Sequence, residues 1–193
     1  MKKLLLLLII PLFFSCKNNT EKEKTSKENI ILNESESKYE ESNVALEGPF
    51  YDYSEAVDYA KIVNKPILIT FTGKACVNAR KMENHILSNK EVKRLLGSVI
   101  ICNLYVDDRS NLENPDTIYI TDNYGNIIRE KIIRTTGQKW MQLQIEKCQK
   151  TTQPYHILDN WQDGPILEPI AYTPDYKVFA KWLENGINEF YNK

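Results

Sequence analysis

Pro66-Ile67-Leu68-Ile69-Thr70-Phe71-Thr72-Gly73-Lys74-Ala75-Cys76-Val77-Asn78-Ala79-Arg80-Lys81-Met82-Glu83 decides the reading of this chain. Pro66 to Thr72 is a short, β-branched and aromatic run, the pattern of a buried strand. Gly73 breaks it, and Cys76 opens a segment of helical character reaching about Leu87. A cysteine at a strand-to-helix turn meets the unsatisfied N–H groups of the first helical turn and the positive end of the helix dipole, which favour thiolate. A Cys-x-x-Cys site needs a second cysteine three residues on, and Ala79 stands there.

Working outward, the folded region is expected to start near Gly48-Pro49-Phe50. Ser54 reads as the N-cap of a helix over Glu55 to Val63, with Ala56, Tyr59, Ala60 and Val63 on one face. Ser88-Asn89-Lys90-Glu91 reads as a capping box for a short helix through Leu96. Val99 to Val106 is apolar almost throughout, as for a central strand covered on both faces. An irregular insert follows, in which Thr117 to Thr121 and Ile127 to Ile133 flank Asn123-Tyr124-Gly125-Asn126 as a hairpin. Gly137 to Cys148 reads as a helix with Trp140, Leu143 and Ile145 as apolar contacts. Tyr155 to Leu158 and Ile166 to Ala171 read as strands joined by a tight turn. Thr173 at N-cap and Pro174 at N1 open a last helix to about Phe190. With the hairpin set aside, the order is helix, strand, helix, strand, helix, strand, strand, helix. The crossover helix makes the first pair parallel, and the tight turn makes the last pair antiparallel.

The chain has 193 residues, with 25 Lys and Arg against 26 Asp and Glu. That balance carries no basic excess for nucleic acid and no acidic tail. The first residues read as a secretory signal: Lys2-Lys3, an apolar run from Leu4 to Phe14, then Ser15 before Cys16. With a cysteine at the cleavage point, residues 1–16 resemble a bacterial lipoprotein signal, whose Cys16 thiol is lipidated and becomes the mature N-terminus. Phe13 and Phe14 depart from that pattern. The rival is an uncleaved anchor, although the apolar run is about half the ~20 residues a spanning helix needs. Residues 17–46, rich in Lys, Glu, Ser and Asn, read as a flexible charged tether spanning ~30 Å, and residues 47–193 as the folded domain. Export implies an oxidising compartment. Three cysteines then remain, Cys76, Cys102 and Cys148, so at least one is outside any intrachain disulfide.

The quoted stretch is similar to the active-site segment of the thioredoxin-like family, nearest the C-terminal domain of the thiol:disulfide interchange protein DsbD. Leu104-Tyr105-Val106-Asp107-Asp108, Gly137 to Trp140, Thr152 to Tyr155 and Ala171 to Pro174 resemble its later landmarks in order. The resemblance covers about residues 50 to 190. It implies an α/β thioredoxin-like fold, a central mixed β-sheet with helices on both faces. It also implies that Pro154, after Gln153, is a cis-proline beside the nucleophile, where a partner peptide pairs by strand addition. Three positions depart from the family: Ala79 replaces the resolving cysteine, Thr70 replaces a buried aspartate, and Lys74 replaces a tryptophan. Ala79 alone would fit an engineered trap; all three together fit a naturally divergent site.

Cys76 is therefore the candidate nucleophile, a lone thiol that forms mixed disulfides with partners and cannot release them from within. Gln153, Pro154 and Lys74 are the candidate partner-binding residues. Cys102 reads as core, and Cys148 as structural; whether they pair is open at this level. His85 and His156 make no metal spacing and read as satisfied structural or surface histidines, and no cofactor is implied. Arg80 and Glu83 lie on the active helix. The reading is a lipid-anchored envelope protein facing the periplasm, at the outer or inner membrane. It would be a single-cysteine thiol–disulfide oxidoreductase or isomerase. Its partners would be exported proteins bearing thiols or disulfides, or an envelope redox protein. The rival is a redox-silent thioredoxin-fold module that binds peptides or proteins.

Overall fold

The sequence alternates its side chains along one strand, and the fold follows from that alternation. In the computed structural model, which describes residues 48–192, β1 (Ile67–Thr72) is buried along its whole length. Ile67, Ile69 and Phe71 pack into one core cluster with Ala56, Ala60 and Trp140, while Leu68 packs into a second with Met82, Ile86 and Phe179. A strand that feeds two cores must lie inside a sheet covered on both faces. The signal and tether proposed for residues 1–16 and 17–46 lie outside the described residues.

The main sheet runs β2-β1-β5-β6, with β7 also on β5. β1 pairs in parallel with β2 (Ile100–Tyr105) and antiparallel with β5 (Tyr155–Asn160). Thus β2 is not central. It ends the sheet, its alternate residues are only half-buried, and its outer side is closed by one backbone bridge. There the Phe50 N–H donates to the Ile101 carbonyl at 2.8 Å and the Phe50 carbonyl accepts from Asn103 N–H at 2.8 Å. The single last strand expected over Ile166 to Ala171 is instead two short pieces, β6 (Gly164–Pro165) and β7 (Ile170–Ala171), set against opposite ends of β5.

The helices are α1 (Tyr53–Val63), α2 (Val77–Lys81), which continues as a π-helical turn over Met82–Leu87, α3 (Lys90–Leu96), α4 (Thr136–Cys148) and α5 (Tyr176–Tyr191). α1 and α4 lie against one sheet face; α2, α3 and α5 lie against the other. Three caps differ from expectation in the same way: an Asp or Asn side chain does the work, not the neighbouring Ser or Thr. Asp52 accepts the Ser54 N–H at 2.8 Å, Asn89 the Glu91 N–H at 2.9 Å and Asp175 the Lys177 N–H at 2.9 Å. So α1 starts before Ser54, and Thr173 takes the Asp175 N–H in the turn ahead of α5. α4 carries a full capping box between Thr135 and Gln138. On α4 Ile145 faces solvent, whereas Gln144 is fully buried and donates to the Thr152 carbonyl at 2.8 Å.

The hairpin is longer than expected: β3 (Asn111–Thr121) with β4 (Ile127–Thr135), a two-stranded sheet of its own. It leads into α4, whose start presses on the end of β2. A Cβ at Gly137 would stand 2.6 Å from both the Val106 and Asp108 carbonyl oxygens, so only glycine allows this approach. No helix of the described residues is long and apolar enough to cross a membrane.

Candidate active site

Because β1 and β2 are parallel and in register through Thr72 and Tyr105, the loops that leave them lie side by side. Their contents fit together closely. Asp107 Oδ1 accepts the Lys74 N–H at 2.9 Å and Oδ2 accepts the Ala75 N–H at 3.4 Å. A Cβ on Gly73 would approach Asp107 Oδ2 to 3.1 Å. Cys76 N–H donates to the Gly73 carbonyl at 3.0 Å, closing the turn. Arg80 reaches back from α2 to donate to the Lys74 carbonyl at 2.8 Å. This places Cys76 at the N-cap of α2, with extended backbone angles, half-buried, and with its side chain making no capping hydrogen bond. It stands outside the helix it was expected to begin.

Lys74 does not stand alone at the site. Its ammonium lies 3.0 Å from Asp108 Oδ2 and 5.8 Å from the centre of the Tyr105 ring, with its side chain 61% exposed. The hydrogen bond to Asp108 raises its pKa above the usual lysine value. Asp108 is held down at about 2, first by the Ser110 backbone N–H and hydroxyl and then by Lys74. Sequence reasoning gave no role to Asp107 or Asp108. The available signal was their place directly after the strand parallel to β1.

Thr70, Ala79 and Pro154 come together. All three line one cavity between the sheet and α2, along with Met82, Glu83 and His156. Ala79 is buried in its roof, and Thr70 and His156 face each other across β1 and β5 with Thr70 Oγ1 3.1 Å from His156 Nδ1. The Gln153–Pro154 bond is cis. Gln153 turns toward α4 and its own loop, its amide donating to the Thr151 carbonyl at 2.7 Å. His156 was expected to be satisfied or exposed. It is fully buried, and its Nε2 has no hydrogen-bond partner. Burial pushes its pKa down to about 4. His85 is exposed on the π-helical turn.

The other thiols are elsewhere. Cys102 is fully buried in the cluster facing α1 and α4, and the sheet stands between it and the Ala79 cavity. Its Sγ lies 3.8 Å from the Asp52 carbonyl, and burial pushes the thiol far above its usual pKa. Cys148 is half-buried at the end of α4, its Sγ 2.9 Å from the Gln144 carbonyl, and burial raises its pKa too. Cys76, Cys102 and Cys148 are all free thiols. Among the described residues, no three His, Cys, Asp or Glu side chains are grouped to hold a metal ion.

A family model described as thioredoxin-like matches residues 49–128, which include β1, Cys76, α2 and β2. The structure of a DsbH oxidoreductase superposes with a TM-score of 0.50 at 17% identity, covering 75% of this chain and 88% of its own. The fold is thioredoxin-like. The reduced C-terminal domain of DsbD from Neisseria meningitidis aligns with a TM-score of 0.48 at 17% identity, covering 71% of this chain and 98% of its own. A thioredoxin from Thermus thermophilus aligns with a TM-score of 0.46, also at 17% identity, over 71% of this chain and 85% of its own. No curated protein sequence matches the chain.

Proposed function

We propose that this is a membrane-tethered thioredoxin-like protein of the bacterial envelope that takes part in thiol–disulfide exchange, with Cys76 as a lone nucleophile. The observation that carries the reading is the placement of Cys76. It is a free, partly accessible thiol at the N-cap of α2, with no side-chain capping bond and no thiol one turn on, where Ala79 is buried. In the exchange step the Cys76 thiolate attacks one sulfur of a partner disulfide. A Cys76–partner S–S bond forms, the partner's own S–S bond breaks, and the second partner sulfur leaves as thiolate. The count of disulfides is unchanged, so the step is not a net reduction. Release requires another thiol: one on the partner itself, which amounts to isomerisation, or one on a separate envelope thiol protein. Pro154 and Gln153 would hold the partner's backbone by strand addition, and Lys74 would meet it at the rim. The lipoprotein-like start at Cys16 supports the envelope assignment and tethering.

The second reading, a redox-silent binding module, is favoured by the Thr70–His156 pair and by Ala79. Ala79 stands where dithiol relatives are expected to carry the resolving cysteine, and Thr70, here paired with His156, where they are expected to carry the buried aspartate that serves it. One experiment separates the two. The reduced full chain is mixed with a peptide disulfide and resolved without reductant, alongside Cys76→Ser. Exchange predicts a one-to-one adduct that forms faster than with an unstructured cysteine peptide, persists until a small thiol is added, and is absent in Cys76→Ser. A rate no greater than that of the unstructured cysteine sinks the exchange reading. Equal, non-covalent peptide capture by both chains establishes the module.

A further inference from the structure

Two carboxylates follow β2 at the Cys76 turn, and they are engaged differently. Asp108 Oδ2 meets the Lys74 ammonium at 3.0 Å, so its charge is matched by a cation. Asp107 forms no ion pair among the described residues. Its Oδ1 instead accepts the Lys74 N–H at 2.9 Å and its Oδ2 the Ala75 N–H at 3.4 Å, the two backbone groups directly ahead of Cys76. Gly73 shows how near this carboxylate stands to the thiol. A Cβ there would come 3.1 Å from Asp107 Oδ2 and 3.6 Å from Cys76 Cβ. Both groups therefore border the space that a side chain at position 73 would fill, and glycine leaves that space without one.

A carboxylate so placed acts on Cys76 in two ways. As a pair of acceptors it ties the turn to the loop after β2. As a negative charge it opposes the charge of an attacking thiolate. The other charged groups around the turn do not cancel it. Lys74 is paired with Asp108, and Arg80 donates to the Lys74 carbonyl at 2.8 Å. Glu83 on the π-helical turn adds negative charge, and Tyr105 at the end of β2 is held protonated by burial. Arg109 is exposed, one residue beyond Asp108. From β5, Tyr155 and His156 pair with Phe71 and Thr70, set back along β1 from the turn. We propose that Asp107 is a positioning residue for thiol exchange: it holds the turn that presents Cys76, and its charge tempers the attack of the thiolate. The proposal rests on the reading of Cys76 as the nucleophile.

The test follows alkylation of the reduced full chain by iodoacetamide, an uncharged reagent, across a pH series, read at the Cys76 peptide by mass spectrometry. Asp107→Asn keeps an oxygen for the Lys74 N–H and removes the charge. Its rate–pH profile should lie roughly half a pH unit or more to the acid side of the native one, a modest shift because Asp107 is exposed to water. Asp107→Ala removes oxygen and charge together. Hydrogen exchange at the Lys74 amide should then quicken by on the order of tenfold, while Asp107→Asn keeps it protected. An Asp107→Asn profile that coincides with the native one would overturn the proposal, as would unchanged Lys74 exchange in Asp107→Ala. Should Asp107→Ala not fold by circular dichroism, the comparison of Asp107→Asn with the native chain still decides. Alkylation needs no partner disulfide. A chain that gives the expected profiles yet forms no adduct with a peptide disulfide would count against the exchange reading instead.

Discussion

His156 keeps its ring uncharged around neutral pH, and that has a cost at lower pH. A histidine in the unfolded chain titrates near 6.5, whereas burial lowers the folded value to about 4. Between those values the unfolded chain binds a proton that the folded chain does not. Stability therefore falls as pH drops from 6.5 towards 4, by on the order of 3 kcal/mol for the full shift, and is fully present above 6.5. Thermal unfolding at pH 7, 5.5 and 4.5 should show the decline, and His156→Phe should flatten it. A slope unchanged in that variant would assign the effect to another group. None of this was visible in the sequence, where His156 is one polar letter in an apolar run. Its meaning arises from burial among residues distant in the chain, Thr70 among them at 86 positions away. The place of Cys76, by contrast, was legible, because it depends on local order: strand, glycine, cysteine, helix.

At the scale of elements, two contacts join parts of the fold that the sequence keeps apart. The first is the close approach of α4 to the end of β2 at Gly137. Gly137→Ala would drive a methyl into two carbonyl oxygens, and a loss of roughly 1–3 kcal/mol is expected in urea unfolding. The second links α1, α4 and β5. Asp159, fully buried, accepts from Tyr53 Oη at 2.8 Å and from Lys147 Nζ at 3.1 Å. Lys147→Met strands that carboxylate and should cost roughly 3–5 kcal/mol; adding Asp159→Leu should recover part of the loss, because the unpaired charge is then gone. If the double variant is no more stable than Lys147→Met, the ion pair is not what Lys147 supplies. The elements themselves were largely readable from periodicity. The caps were displaced because each boundary offers adjacent Asp, Asn, Ser and Thr, and only backbone geometry selects among them. The place of β2 was misjudged because an apolar run reads the same at a sheet's end as at its centre. Here the outer side is closed by the backbone of Phe50, which has no hydrophobic signature.

For the whole molecule, the two sheet faces divide the chemistry. Cys102 and the Asp159 network belong to the face under α1 and α4; the cavity with Thr70, Ala79 and His156 belongs to the face under α2 and α5. The buried Cys102 thiol on the first face is thereby kept apart from the second, where Ala79 stands. The central strand adds a constraint of timing. β1 takes β2 from residues 100–105, but its other neighbour, β5, comes from residues 155–160. As the chain emerges from its N-terminus, β1 therefore waits with one edge unpaired until the residues of β5 follow. The pairing that closes the sheet is non-local and slow to form. A fragment ending at Lys150 should show no cooperative melting transition by circular dichroism, whereas the full chain should. The last quarter of the polypeptide thus sets the moment at which a nascent chain stops being a thread and becomes a folded body.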